Sequence, residues 1–407
     1  MRRQTEPRPL NGGVQNGTRP SAASRIAVGP RISMLPTRSR TQRPVRIAIV
    51  GIGYWGPNLV RNLYELPEAE PAWICDVRLE ALEALGKRYP AIPATTRFSD
   101  VLEDPTVEAV VIATPISTHS ELAAAALRAD KHVFVEKPLA ASSQEGLKLI
   151  RLASRRNLLL MPGHTFLYSP PVNMIRDMIA AEELGEIYFI SMSRVNLGIH
   201  QSDVSVAWDL GPHDFSILRY WLNETPSHIS ALSRACIMPD TPDVAFMNLE
   251  FPSGAIAHVE LSWLAPSKLR RTTIVGSRKM VVYDDMSNEP VRVFDSGVNL
   301  IAPETFGEYM LSYRTGDIIS PNMDPSEPLL LEFADFCAAI RTGSQPRSHA
   351  TLGLDVVRMI EATDRSLAAQ GSRLTVEHSA ELETISEPYT PADAAGLASG
   401  AQYAAKA

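Results

Sequence analysis

The chain has 407 residues, 45% of them hydrophobic and 21% charged, with a net charge of −7. A single apolar core rarely grows past roughly 250–300 residues, so the length excludes a lone small domain and the composition excludes wholesale disorder. Three widely spaced cysteines, Cys75, Cys236 and Cys337, make neither a disulfide framework nor a CxxC metal pair, which implies a reducing, cytoplasmic setting and no metal site.

The charge is unevenly spread. Residues 1–43 hold nine arginines, no lysine and one acid, Glu6, so this stretch carries +8 and leaves −15 for the rest. Rich in Pro, Gly, Ser and Arg without an apolar period, it reads as a disordered basic tail. It lacks the apolar stretch of a secretory signal, and no apolar run anywhere reaches membrane-spanning length. An acidic body opposes a general nucleic-acid surface, which needs many Lys and Arg to neutralise phosphates.

From Val45 the texture changes. RIAIV reads as a strand, Gly51-Ile-Gly53-Tyr-Trp-Gly56 as a glycine turn and NLVRNLYEL as a helix. AWIC, a second strand, ends in Asp76, and RLEALEALGKRY is helical. VEAVVIATP, THSELAAAALRAD, KHVFVEKP, SSQEGLKLIRLASRRN and LLLMPG continue the alternation. Strand–helix alternation of this kind predicts a doubly wound parallel sheet, an α/β Rossmann domain, over residues 44–163.

Beyond Gly163, EIYFISMSRVN, SHISALSRA, DVAFMNLEF, GAIAHVELSWL, RRTTIVGS, KMVVYDD and EPVRVFD alternate or are β-rich, with turn residues between them. They predict a large, open, mostly antiparallel sheet. VNMIRDMIAAEEL, HDFSILRYWL, LLLEFADFCAAIRTG and GLDVVRMIEATDRSLAAQG would cover one of its faces. Together these give a second α/β domain over 164–378 that binds substrate and forms oligomers, followed by a flexible tail, 379–407.

Three motifs carry chemistry. Gly51, Gly53 and Gly56 satisfy GxGxxG between strand and helix, where a pyrophosphate rests on the helix N-terminus; Tyr54 and Trp55 lie inside the same loop. Asp76, at the end of the second strand, can accept from adenosine ribose hydroxyls and repel a 2′-phosphate, which favours NAD over NADP. Arg78 could pair with that phosphate, but reads more simply as a solvated side chain. Lys137, in Glu136-Lys137-Pro138, falls at the carboxyl edge of the parallel sheet, where such sheets bind ligands; read alone, it is either a site cation or a loop charge. In Trp208-Asp209-Leu-Gly-Pro-His213-Asp214, the acid and histidine share a helix face if the helix reaches back that far. They are then an acid/base pair in which the carboxylate favours the charged imidazole, or else a cap and a structural histidine.

With GIGYWGPN (51–58), Asp76, ATPISTH (113–119), EKP (136–138) and WDLGPHD (208–214) in this order, the chain resembles the Gfo/Idh/MocA oxidoreductases from about Val45 to Val376. The resemblance implies an NAD-binding Rossmann domain and a second domain whose open sheet makes oligomer contacts, in a homodimer or homotetramer. Lys137 would contact the nicotinamide ribose and the substrate, with His213 the acid/base and Asp209 its companion. Thr114, Pro115 and His119 would lie beside the nicotinamide, and Glu136 near the ribose. GHTFLYSPPV (163–172) and SRVNLG (193–198) resemble the branch of nucleotide-sugar 3-dehydrogenases, while Tyr168-Ser-Pro170 departs from the RF-x-P segment of free-sugar enzymes. An anionic nucleotide sugar would need local cations, for which Arg194, Lys268, Arg270 and Arg271 are candidates; Asn196 and Trp208 would line the sugar.

The implied activity is NAD-dependent oxidation of a secondary alcohol on a sugar or nucleotide sugar, or reduction of the keto form, assisted by Lys137 and His213. Two alternatives are a glycosidase that retains NAD and uses transient oxidation, and a catalytically silent sugar-binding regulator.

Overall fold

The computed structural model describes residues 43–198, 204–301 and 310–377. The expected tails, 1–43 and 379–407, lie outside these except for Arg43.

The first sheet takes its strands in the order β3-β2-β1-β4-β5-β6, all parallel. They are β1 (Val45–Val50), β2 (Ala69–Cys75), β3 (Ala94–Thr95), β4 (Ala109–Ile112), β5 (His132–Glu136) and β6 (Leu160–Gly163). The helices between them are α1 (Gly56–Glu65), α2 (Leu79–Gly86), α3 (Phe98–Glu103), α4 (Ile116–Arg128) and α5 (Ser143–Arg155). Every residue of β4 is buried, as its unbroken AVVI demands, because helices cover both faces of a parallel sheet. β1 and β4 are neighbours although β2 and β3 intervene in the chain. The strand order therefore reverses at β1, and a crevice opens at the carboxyl ends of β1 and β4.

A 3-10 turn (Thr165–Tyr168) and α6 (Pro170–Ala180) lead into the second sheet. Its strands are β7 (Ile187–Leu197), β8 (His228–Arg234), β9 (Val244–Glu250), β10 (Ile256–Ser262), β11 (Leu264–Gly276), β12 (Met280–Asp284), β13 (Val291–Ile301), β14 (Met310–Ile319) and β15 (Leu374–Thr375). They run in the order β14-β13-β12-β11-β7-β10-β9-β8-β15, antiparallel apart from the parallel pair β7 and β10. α7 (Val206–Leu222), α8 (Pro328–Thr342) and α9 (Ala350–Ala368) complete this half. Along β9, buried and exposed residues alternate, so one face packs inward and the other, with Phe189, Phe246 and Ile256, stays accessible.

α8 turns back to the first sheet. Its Phe333 and Phe336 lie 5.1 and 5.7 Å from the ring of Phe134 on β5, so the core is continuous between the two sheets. Each buried aromatic stabilises the fold by about 1.5–3 kcal/mol relative to exposure. Arg61 to Glu327 and Arg341 to Glu108 add ion pairs between α1, the segment before β4 and α8.

Candidate active site

The glycine turn has the shape a dinucleotide needs. Gly51 sits at φ +96°, and a Cβ there would stand 2.6 Å from the Ala113 carbonyl. At Gly56 a Cβ would stand 2.6 Å from the oxygen of Gly51. Gly53 meets nothing within 4 Å, so its bare backbone faces open space where a pyrophosphate can approach, ahead of the N-terminus of α1. Tyr54 is 90% exposed on this loop and Trp55 is half-exposed.

Asp76 is buried at the end of β2, where the Ile52 amide donates to its Oδ2 at 2.6 Å. Arg78 is exposed, as expected of a solvated side chain, but its charge is paired. Its backbone N–H and Nε donate to Asp76 Oδ1 at 2.8 and 3.0 Å, and its Nη2 donates to Oδ2 at 3.0 Å. Burial pushes the carboxyl up, but these bonds outweigh it and hold Asp76 below the usual carboxylate range.

At the end of β4, the Thr114 and Thr118 hydroxyls bond at 2.7 Å, and Thr118 donates to the Pro115 carbonyl. His119 is sealed beneath this loop, 1% exposed. Its Nδ1 lies 2.9 Å from the Pro138 carbonyl and its Nε2 2.9 Å from that of Thr114. Both ring nitrogens are therefore engaged by the protein. His119 ties the Thr114 loop to the Lys137 turn, beneath the loop that the resemblance sets beside the nicotinamide.

β5 ends in Glu136, and the Lys137–Pro138 peptide is cis. Lys137 Nζ donates to the Asp209 carbonyl at 2.8 Å and lies 3.3 Å from its Oδ1. α7 does reach back through this segment, although Pro212 inside it removes one helical N–H, so Asp209 and His213 are one turn apart on the same face. Asp209 Oδ2 accepts from the Trp263 indole at 3.2 Å, so the carboxylate is shared between a cation and a buried neutral donor.

His213 stacks edge-on to Phe166 at 5.0 Å, with its Nδ1 buried and unpartnered. Burial, then the charges of Lys137, Arg194 and Arg270, hold its imidazole well below the usual histidine value. The expectation that Asp209 would favour a charged His213 is corrected: the carboxylate is spent on Lys137 and Trp263, and three cations surround the ring. The imidazole therefore rests neutral, with Nδ1 bearing no protein partner.

Arg194 is not a free cation either. It is 5% exposed, and its Nε and Nη2 donate to Asp214 at 2.7 and 3.1 Å. Arg270, opposite it in register on β11, pairs with Asp285 at 3.1 Å, and both guanidinium groups lie over the Phe166 ring. Lys268 and Arg271 stay exposed. Asn196 is two residues beyond Arg194 on the same strand face. Trp208 donates to Asp364 at 2.7 Å and lines a cavity with Ile116, Ala141, Ser205 and Asp240.

Sequence reasoning assigned no role to four residues here. His164, at the end of β6, is fully buried with neither ring nitrogen partnered; burial and then Lys137 push it down to about 3. Glu332 accepts from Thr165 at 2.6 Å and is held far above the carboxylate range by burial and by Glu136. Glu136 itself is raised to about 7 by burial, against the pull of Lys137. Phe166 and Trp263 complete the set. Only His164 carried a sequence signal, its place just past a parallel strand.

A glycine turn and buried acid at the reversal of a parallel sheet, with a lysine and a neutral histidine converging beside them from two domains, define a dinucleotide-dependent oxidoreductase. Residues 45–164 match the GFO_IDH_MocA family, described as an oxidoreductase family with an NAD-binding Rossmann fold, and residues 172–282 match its C-terminal domain. The chain belongs to this family, and its first domain is an NAD-binding Rossmann domain.

It is 26% identical to scyllo-inositol 2-dehydrogenase (NAD(+)) of Bacillus subtilis over 77% of this chain and 92% of the relative. A solved putative oxidoreductase from Magnetospirillum magnetotacticum is 27% identical with TM-score 0.68, covering 79% of this chain and 99% of the other. UDP-N-acetylglucosamine 3-dehydrogenase of Acidithiobacillus ferrooxidans, at 21% identity and TM-score 0.69 over 81% and 100%, shares the fold.

Proposed function

We propose that the protein oxidises a secondary alcohol on a sugar or cyclic polyol, or reduces the matching ketone. The observation that carries this is the convergence of Lys137, fixed on Asp209, with a neutral His213 one helical turn on, at the carboxyl end of β5. NAD, when bound, supplies the two-electron acceptor. Asp76 accepts from the adenosine ribose, and the backbone around Gly53 meets the pyrophosphate.

His213 takes the hydroxyl proton, since a neutral imidazole is the base the reaction needs and burial keeps it neutral. Lys137 donates to the reacting oxygen and stabilises the negative charge that develops there, in a cleft where such charge pairs are strong. Asp209 holds the ammonium in place, and Trp263 holds Asp209. Asn196 and Trp208 border the sugar.

A nucleotide sugar is the second reading, favoured by the exposed Lys268 and Arg271 on β11. Against it, Arg194 and Arg270 are already paired with carboxylates, and the cavity beside Trp208 is bordered by Asp240 and Asp364. The test is a panel of inositols, free sugars and UDP-, GDP- and dTDP-sugars, followed by NADH absorbance at mildly alkaline pH. Turnover on any ring alcohol supports the reaction, and its class decides between the two readings. NAD binding without turnover on any member, in either direction, refutes the reading.

A further inference from the structure

The Asp76 carboxylate offers about four acceptor positions, and all four are taken. Two go to backbone amides, of Ile52 and Arg78, at 2.6 and 2.8 Å. The other two go to the Arg78 side chain, whose Nε and Nη2 approach one oxygen each at 3.0 Å. The same Nη2 also donates to the Ile52 carbonyl at 3.0 Å, so the guanidinium lies along the glycine turn itself. A ribose 2′,3′-diol presents two adjacent O–H donors to a carboxylate, and the arginine fork presents two adjacent N–H donors; the two compete for the same pair of acceptor sites.

We propose that Arg78 is a displaceable latch on Asp76, which the ribose diol of NAD must release and which, once released, becomes the receptor for the 2′-phosphate of NADP, so that the site accepts both cofactors.

The Arg78 side chain is 57% exposed while that of Asp76 is 5% exposed, so the arginine can leave and the acid cannot. An ion pair with one partner this exposed is held weakly, and its release changes a binding constant by no more than about fivefold. Arg78 is the residue just before α2, so the freed guanidinium stays within a side chain's reach of the 2′ position. On the 2′-phosphate, the Arg78 guanidinium stays close enough to Asp76 to offset the repulsion that the aspartate alone exerts. The inference rests on the NAD-binding Rossmann domain and not on which alcohol is oxidised.

The experiment measures dissociation constants of the full chain for NAD+ and NADP+ by calorimetry, without substrate, so its outcome is independent of turnover. The wild type should bind both, with constants within about tenfold of each other. Arg78→Met should tighten NAD+ up to about fivefold, because the competitor is gone, and weaken NADP+ at least tenfold, because the phosphate loses a charged fork. Asp76→Asn, which keeps an acceptor for the Ile52 amide, should shift preference toward NADP+. Weakening of both cofactors alike by Arg78→Met, or a wild-type NADP+ constant more than a hundredfold weaker than that for NAD+, overturns the latch.

Discussion

Replacing Lys137 with methionine keeps the length and apolar stem of the side chain and removes only the ammonium group. In the wild type that ammonium donates to the Asp209 carbonyl at 2.8 Å and stands 3.3 Å from its carboxylate, and both side chains are about four-fifths buried. Folding should change little, by about 1 kcal/mol, because Asp209 keeps the Trp263 indole and some contact with water. Catalysis should change greatly. One preorganised donor to a developing oxyanion contributes about 10²–10³ in rate, and loss of the group that orients the reacting hydroxyl adds to this, so kcat should fall about 10³–10⁴-fold. The assay pairs steady-state NADH formation on the selected substrate with calorimetric NAD+ affinity and a thermal melt. Unchanged melting and an NAD+ affinity within a few-fold, with kcat reduced at least a hundredfold, is the expected result. If the variant keeps more than a tenth of wild-type kcat, Lys137 is not the group that meets the reacting oxygen.

Trp263→Phe removes the indole N–H that bonds Asp209 while keeping most of the ring; kcat should fall about tenfold with KM for NAD+ unchanged, as steady-state kinetics will show. On the proposed mechanism His213 is the base, and its imidazole is held well below the ordinary histidine value, 6.5, by burial and its cationic neighbours. The acid-side loss of kcat/KM for oxidation should therefore lie below pH 6.5, and a limb at or above 6.5 would contradict a neutral resting imidazole. Glu136 has its folded value raised from 4.5 to about 7, so its contribution to stability is complete below pH 4.5 and is lost as pH rises toward 7. This loss amounts to about 3 kcal/mol at most. Glu136→Gln should flatten the fall in Tm between pH 5 and 8, and an unchanged slope would show that Glu136 does not titrate there. Gly51→Ala sets a Cβ 2.6 Å from the Ala113 carbonyl at positive φ and should weaken NAD+ binding at least tenfold or destabilise the fold by more than 2 kcal/mol; a neutral variant would mean that the turn relaxes freely.

The first sheet was legible because each of its longer strands is a short apolar run followed by a helix of the right period; RIAIV, VEAVVIATP and HVFV could hardly read otherwise. β3 and α3 were not, since two residues of strand and six of helix leave no period to count. β14 is not legible because MLSYRTGDII keeps no clean alternation of apolar and polar residues, and α8 reads as part of the second domain although Phe333 and Phe336 pack on Phe134 in the first.

Sequence position singles out Lys137, Asp209 and His213 as candidates, but not their electrical states. Whether Asp209 faces His213 or Lys137 depends on a contact across 72 residues, and Trp263 joins from 54 residues away. Arg194 reads as a free cation because its partner, Asp214, lies 20 residues away, and Arg78 because proximity to Asp76 in sequence does not reveal a side-chain pairing.

The central claim is that the ring alcohol itself gives up its hydrogen to bound NAD while His213 and Lys137 manage the proton and the charge. The most direct test uses the substrate found in the panel, labelled with deuterium on the reacting carbon, and mass spectrometry of the NADH formed. One deuterium should appear on the reduced nicotinamide in each turnover. Unlabelled NADH from fully labelled alcohol, or label washed into solvent before transfer, would contradict the account.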